Sequence, residues 1–276
     1  MELEILRNIQ SIANPFLDIL FQLITICGEQ MVLVLIISII YWVKDKKFGE
    51  YIAYAVLTSV LVNCVVKDIF KFKRPIGEEG IRTLREKTAT GYSFPSGHTQ
   101  GAGSFYGAMA IYIKKKVMYI IAIIMIILIG FSRLYLGVHY PKDVIVGGIL
   151  GVLISYICYN IYNKYENKIM VYTITFIIFL PALTFAHSED FIKGLGAYFG
   201  FLIGMFIEKR YVNFSVEGKG INKVIRVVIG VLILLCLQKG LKIVLPSEAI
   251  FSFIRYSIIS IFGIGIYPII FKKLKI

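Results

Sequence analysis

Histidine is nearly absent from this chain, with three among 276 residues. Cysteine is scarce as well: Cys27, Cys64, Cys158 and Cys236 all lie in apolar runs, without paired spacing. That excludes a disulfide framework and a cysteine-based zinc site, and the four read as buried small hydrophobes. Carboxylates and Cys/His residues are nowhere clustered at metal-ligand spacing. Internal repeats, low-complexity tracts and flexible linkers are missing, and the loops are too short for a second domain. The start, with Glu2 and Glu4, lacks a basic region, so no cleavable signal peptide is expected. Acidic residues are the minority, 17 against 30 Lys and Arg, for a formal charge of +13. A soluble protein so basic would suggest nucleic acid. Here the cations sit in short clusters between apolar runs, where membrane proteins place cytoplasmic charge, and no nucleic-acid partner is expected.

What is plentiful is apolar sequence: 58% of residues are hydrophobic and the mean hydropathy is +0.78. A membrane helix needs roughly 20 apolar residues. Spans are expected at about 29–43, 48–70, 97–113, 117–136, 141–162, 169–187, 191–207, 222–245 and 249–271. The first is short. Either it extends back through 16–27 with a break near Gly28 and Glu29, or residues 3–27 lie amphipathically at the interface.

Basic clusters recur at every second turn: Lys44, Lys46, Lys47; Lys114, Lys115, Lys116; Lys164, Lys168; Lys209, Arg210, Lys219, Lys223; and Lys272, Lys273, Lys275. If those turns are cytoplasmic, the positive-inside rule is met each time. Residues 71–96, 137–140, 187–190 and 246–248 then face outward. The expected fold is an all-α polytopic transmembrane bundle, with a segment 1–28 that is interfacial or partly inserted. A helical core follows over 29–207, then a cytoplasmic loop and two additional spans over 208–276.

Three polar clusters break the apolar pattern on the outward side. The first runs from Lys67 to Arg74-Pro75. Lys67 lies inside the end of an apolar span, where an ionisable group is costly and tends to be functional. Lys67 and Arg74, two helical turns apart, share a face if the helix persists. Snorkelling at the membrane boundary would also account for them. The second is Phe94-Pro95-Ser96-Gly97-His98, directly before an apolar helix. Ser96 suits an N-cap, the unpaired N–H groups of the first turn offer an anion site, and Gly97 allows close approach. A capped turn with an incidental histidine is the plainer alternative. The third is Ser132-Arg133, then His139, then Asp143. Pro141 suits a first helical position. Asp143, four residues on, could fix the His139 tautomer and leave the other ring nitrogen as a nucleophile. In isolation an ordinary interfacial histidine beside a helix-start carboxylate is the better reading, since a local pair is no active site without a checked geometry.

Together the clusters assemble what phosphoryl transfer needs. Lys67, Arg74, Ser96 and Arg133 are anion binders for charge spread over equatorial oxygens. Gly97 adds backbone donors, and His139 and His98 fit a nucleophile and an acid on opposite sides of phosphorus.

These residues resemble the signature of the type 2 phosphatidic acid phosphatase superfamily: K-x6-RP, PSGH and SR-x5-H-x3-D. Every fixed position and spacing is present between 67 and 143, and the similar helical core covers about 44–187. The last two spans resemble an elaboration of some members, including sphingosine-phosphate-phosphatase-like ones. The resemblance implies a phosphohistidine on His139, oriented by Asp143, with His98 protonating the leaving group. It implies phosphate held by Lys67, Arg74, Ser96, Gly97 and Arg133, and no metal or other cofactor. The implied partners are membrane lipids and a lipid phosphate or pyrophosphate substrate. Such a substrate could be an undecaprenyl pyrophosphate-type carrier, phosphatidic acid, phosphatidylglycerol phosphate or a sphingoid phosphate. The implied location is a bacterial plasma membrane with the site on the extracytoplasmic face. A lipid phosphotransferase of the same superfamily, a non-catalytic lipid transporter and, remotely, a haloperoxidase-like activity are the competing expectations. The sequence leaves the oligomeric state undefined.

Several other polar residues have bland readings beside functional ones. His187, Glu189 and Asp190 form a polar turn that is either a solvated loop or part of the site's mouth. Arg82, Arg85 and Lys87 could meet a second phosphate or only solvent and lipid heads. Lys239, Lys242 and Arg255 are expected to snorkel, and Trp42 to anchor at the interface.

Overall fold

The computed structural model describes residues 1–274, so Lys275 lies outside the described residues, as does the side chain of Lys87. Among the described residues there are helices and no strands. In chain order they are α1 (Glu2–Gln10), α2 (Pro15–Ile26), α3 (Gln30–Ile39), α4 (Lys46–Phe70), α5 (Gly97–Ile113), α6 (Lys116–Tyr135), α7 (Pro141–Lys164), α8 (Lys168–Phe179), α9 (Glu189–Ile207), α10 (Gly220–Val244), α11 (Ala249–Ile261) and α12 (Tyr267–Leu274).

The chain is an all-α polytopic transmembrane protein. Among the described residues, six helices are long and apolar enough to cross a membrane: Lys46–Phe70, Lys116–Tyr135, Pro141–Lys164, Glu189–Val212, Gly220–Val244 and Ala249–Lys273. The other three expected spans are helical but shorter, and each has a local reason. α3 widens into a π turn at Ile40–Lys44. α5 stops where Lys114 turns left-handed at φ 56°. α8 tightens into a 3-10 turn at Leu180–Thr184, where Pro181 supplies no N–H. At the N-terminus α1 and α2 meet at a bend of 119°. α2 and α3 are separated by Cys27, Gly28 and Glu29.

The helices divide into two compact units, Met1–Leu33 with Val62–Asn160, and Val34–Leu61 with the chain from Ile161 on. In the first, α7 packs against α5 through small residues. A Cβ on Gly147 would lie 2.8 Å from Ser96 O, and one on Gly151 would lie 2.3 Å from Gln100 O. Only glycine permits that approach, which is how small residues bring membrane helices together. Phe21 of α2 packs on Phe131 and Tyr135 of α6, at ring distances of 5.3 and 4.5 Å.

The second unit has its own glycine seam. A Cβ on Gly196 of α9 would meet Phe253 O at 2.4 Å, and one on Gly200 would meet Ser257 O at 2.3 Å. Trp42 belongs to this unit and is no interface anchor. It is 1% exposed, donates from Nε1 to Gly263 O at 2.9 Å and packs edge-on against Tyr267. Its indole N–H finds a helix carbonyl, which makes burial cheaper than the interface. Arg255 does not snorkel either: it is buried, and its Nη2 donates to Pro246 O at 3.2 Å. One lysine in each of two basic clusters is ion-paired internally, Lys46 with the buried Glu208 and Lys209 with the buried Glu50. Cys64 and Cys158 are buried as expected, but Cys236 is exposed on α10. In a bilayer an outward apolar face needs no cover, so the aqueous rule that hides small hydrophobes does not apply.

Candidate active site

The site lies wholly in the first unit and is assembled on short connections at helix ends. α6 closes at Tyr135, and Gly137 turns left-handed at φ 69°. A Cβ on Gly137 would strike Arg82 O at 2.3 Å. This turn leaves His139 two residues before Pro141, the first residue of α7. Asp143 then stands one helical turn beyond His139, as the spacing predicts.

His139 is 1% exposed and its Nδ1 lies 3.3 Å from Asp143 Oδ2. The same carboxylate oxygen accepts from Tyr140 N at 2.9 Å and from the hydroxyl of Ser93. Ser93 Oγ is also 3.4 Å from His139 Nδ1. On the other side of the ring, Nε2 lies 2.9 Å from Arg74 Nη1. A guanidinium only donates, so Nε2 must accept, and the ring proton belongs on Nδ1, facing Asp143. Burial holds the imidazole well below its usual pKa, helped by the positive charges of Arg74, Arg133 and Lys67. The ring is therefore neutral, with its lone pair on Nε2.

Arg74 does not share a helical face with Lys67. α4 ends at Phe70, and Lys71 follows in a left-handed conformation at φ 52°. The two side chains meet by another route. Lys67 donates from Nζ to Tyr92 O. Arg74 is clamped by three carbonyls: Nε to Gly91 O at 3.0 Å, Nη2 to Thr90 O at 2.6 Å and Nη1 to Val138 O at 2.9 Å. The loop also ties to itself through Ser93 N and Phe72 O at 2.8 Å. Both cations are thus fixed by the backbone of Thr90–Tyr92, just before the second motif.

That motif begins α5. Ser96 is fully buried and its Oγ accepts from Thr99 N and Thr99 Oγ1, at 3.5 and 3.0 Å. Its backbone N–H donates to Asp143 O at 2.9 Å, which couples the second motif to the third. Gly97 and His98 form the first turn of α5. The Nε2 of His98 is buried without a hydrogen-bond partner among the described residues. Arg133 is wholly buried on α6; Nη1 donates to Thr25 Oγ1 at 2.8 Å, whereas Nε and Nη2 are buried and unpartnered. Orphaned buried donors are expensive unless an anion meets them. The structure thus brings together all eight residues that the sequence singled out.

Sequence reasoning missed three contributors. Ser93 bonds the orienting carboxylate, Thr25 holds Arg133, and Asn63 donates to Pro95 O and Gln100 Oε1 at 3.3 and 2.8 Å. Thr25 and Asn63 are polar positions inside apolar runs, a signal that could have found them. Ser93 carries no such mark in a loop already polar. Two arginines of the loop between α4 and α5 are engaged by the N-terminal segment: Arg82 with Asp18 at 2.6 Å and Arg85 with Glu29 at 2.5 Å. Glu189 and Asp190 pair with Lys193 on their own helix.

Comparison with known proteins identifies the family. Residues 49–167 match the family model described as PAP2 superfamily, and residues 192–276 match one described as PAP2 superfamily phosphatase, transmembrane extension. The chain is 33% identical over 119 residues to an undecaprenyl-diphosphatase of Sulfolobus acidocaldarius, covering 43% of this chain and 57% of that one. It is 31% identical over 159 residues to phosphatidylglycerophosphatase B of Bacillus subtilis, covering 53% and 75%. Among solved structures, a transmembrane PAP2 type phosphatidylglycerolphosphate phosphatase from Bacillus subtilis superposes with a TM-score of 0.51 at 28% identity, over 59% of this chain and 85% of that one. LpxE of Aquifex aeolicus gives 0.53 at 27%, over 58% and 94%.

Proposed function

The chain belongs to the PAP2 superfamily, and on that premise we propose that it hydrolyses lipid phosphate monoesters or pyrophosphates through a phosphohistidine on His139, at the extracytoplasmic face. The observation that carries this reading is the two-sided hold on one neutral ring: Nδ1 on Asp143 at 3.3 Å and Nε2 on Arg74 at 2.9 Å.

In the first step Nε2 attacks phosphorus and the bond to the leaving oxygen breaks. His98 gives that oxygen its proton, so it departs as an alcohol or a phosphate. Arg74 exchanges its contact with Nε2 for the phosphoryl oxygens. Arg133, through its unpartnered Nε and Nη2, Lys67 and the N–H groups at the start of α5 share the remaining charge. Asp143 stabilises the charge that Nδ1–H carries once Nε2 bears phosphorus. In the second step water attacks the phosphohistidine, His98 takes the water proton, and inorganic phosphate leaves.

The relatives named as an undecaprenyl-diphosphatase and a phosphatidylglycerophosphatase support a lipid phosphate or pyrophosphate as substrate. The basic clusters at alternate turns support an outward-facing site. The deciding assay measures phosphate release from a panel of lipid phosphates and pyrophosphates with EDTA present. A label from [32P]-substrate that survives alkali and is lost in acid, on wild type but not on His139→Ala, is the expected result. Turnover without such a label would remove the covalent step. Lipid product without free phosphate would make the chain a phosphotransferase.

A further inference from the structure

Away from the active site, the second unit carries a groove of about 660 Å³ between α8 and α9. Its wall is mainly apolar, with Met170 and Ile174 of α8 and Phe206 of α9 exposed along it, and the hydroxyl of Thr173 spent on Ile169 O at 2.9 Å. Met170, Ile174 and Phe206 are 43%, 50% and 45% exposed. Its other end, at the start of α8, is polar, formed by Asn167, Lys209 and Arg210. We propose that this groove is a structural binding site for one anionic phospholipid, with the head on Arg210 and an acyl chain along Met170, Ile174 and Phe206.

Charge selects the head. Lys209 is committed, since its Nζ meets Glu50 Oε1 at 2.5 Å and lies over the Tyr172 ring at 5.8 Å. Lys168 points its Nζ at the carbonyls of Tyr162 and Tyr165. The Arg210 side chain is exposed, and it makes no hydrogen bond or ion pair among the described residues. Around Lys168 stand Lys47 and Lys209 against Glu50 and Glu166. With Lys168 and Arg210 added, positive charge is in excess. α8 also starts here: Asn167 Oδ1 caps Met170 N at 3.1 Å. The first turn of a helix favours a phosphate. A guanidinium grips phosphate oxygens in forked geometry.

Shape selects a lipid over a free anion. The volume exceeds what a phosphate needs, and apolar side chains follow the polar end along α8 and α9. Basic recesses between membrane helices at their charged ends are where anionic lipid heads lodge. Neither Arg210 nor the apolar wall has a part in the chemistry at His139.

The test uses the full chain in detergent. Native mass spectrometry compares retention of phosphatidylglycerol with phosphatidylcholine of the same chains, and a photoactivatable phosphatidylglycerol maps the site. Preferential retention of phosphatidylglycerol is expected, with crosslinks on 167–174 and 206–210. Arg210→Gln should lower that retention about fivefold, and Arg210→Lys should keep most of it. Ile174→Trp should block the groove and lower retention with Arg210 intact. Both positions are exposed, and the crosslink map of the unaltered chain decides the site whatever the variants do. Equal retention of the two lipids, crosslinks elsewhere, or equal competition by soluble glycerol phosphate would overturn the proposal.

Discussion

Arg74 Nη1 and His139 Nε2 lie 2.9 Å apart although 65 positions separate them in the chain. The contact does two things. It identifies Nε2 as the nitrogen with the lone pair, and it covers that lone pair with the cation that would receive the phosphoryl oxygens. Replacing Arg74 removes both the cover and the clamp. Arg74→Ala should cost about 10² to 10³ in kcat, the range for loss of one preorganised donor to a charged transition state. Phosphate release under saturating substrate measures it. A variant within threefold of wild type would end the role given to Arg74.

His139 should stay neutral well into the acid range, because burial and then Arg74 lower its pKa. If His139 is the nucleophile proposed, its protonated form cannot attack, so the acid limb of kcat/KM assigned to it should fall below pH about 6.5, the free imidazole value. Arg74→Gln removes one repelling charge and should move that limb upward. The same depression bears on stability. The unfolded chain takes up this proton near pH 6.5 and the folded one does not, so stability is lost as pH falls below about 6.5. A limb that stays put in Arg74→Gln would contradict the electrostatic account.

On the proposed mechanism Ser93 acts through Asp143, to which its hydroxyl donates. Ser93→Ala leaves the carboxylate with fewer donors and the His139 ring less firmly oriented. A loss of about 10- to 100-fold in kcat with KM little changed is expected, the range for partners that orient a reacting ligand. Ser93→Thr, which keeps the hydroxyl, should restore part of it. A change confined to KM would assign Ser93 to substrate binding instead.

Thr25 lies outside every motif yet holds Arg133 through a 2.8 Å bond. Thr25→Val keeps the shape and removes the acceptor, which leaves one more buried guanidinium donor unmet. Turnover should fall about tenfold, with a cost near 1–3 kcal/mol in stability. Thr25→Ser should behave as wild type. If the valine variant is fully active, the N-terminal helices have no part in shaping the site.

The α9–α11 seam should be intolerant of size and silent in catalysis. A Cβ on Gly200 would sit 2.3 Å from Ser257 O. Gly200→Val should destabilise by about 1–3 kcal/mol through overpacking. A Cβ on Gly240 would meet nothing within 4 Å, so Gly240→Ala should be neutral or slightly stabilising. Thermal unfolding in detergent separates the two. Equal melting temperatures would mean that the seam does not hold the second unit together.

The sequence by itself determined what depends on near neighbours along the chain. Hydropathy placed nine helical segments, six of which among the described residues are long and apolar enough to cross a membrane, because apolar run length decides what a bilayer accepts. The four-residue step from His139 to Asp143 put the carboxylate on the ring, since one helical turn fixes that contact wherever the helix goes. Ser96 capped α5 for the same local reason. Tertiary structure decided everything that depends on a loop's path or on which surface meets which. α4 stops at Phe70, so Lys67 and Arg74 converge through the carbonyls of Thr90–Tyr92 and not along a shared helical face. Trp42 looked like an interface anchor until Gly263 offered its indole a carbonyl. Ser93 and Thr25 joined the site through contacts 50 and 108 residues long, which no local spacing encodes. Short-range hydrogen bonds are written in periodicity; the long-range ones wait on packing, and the cover over His139 is of that kind.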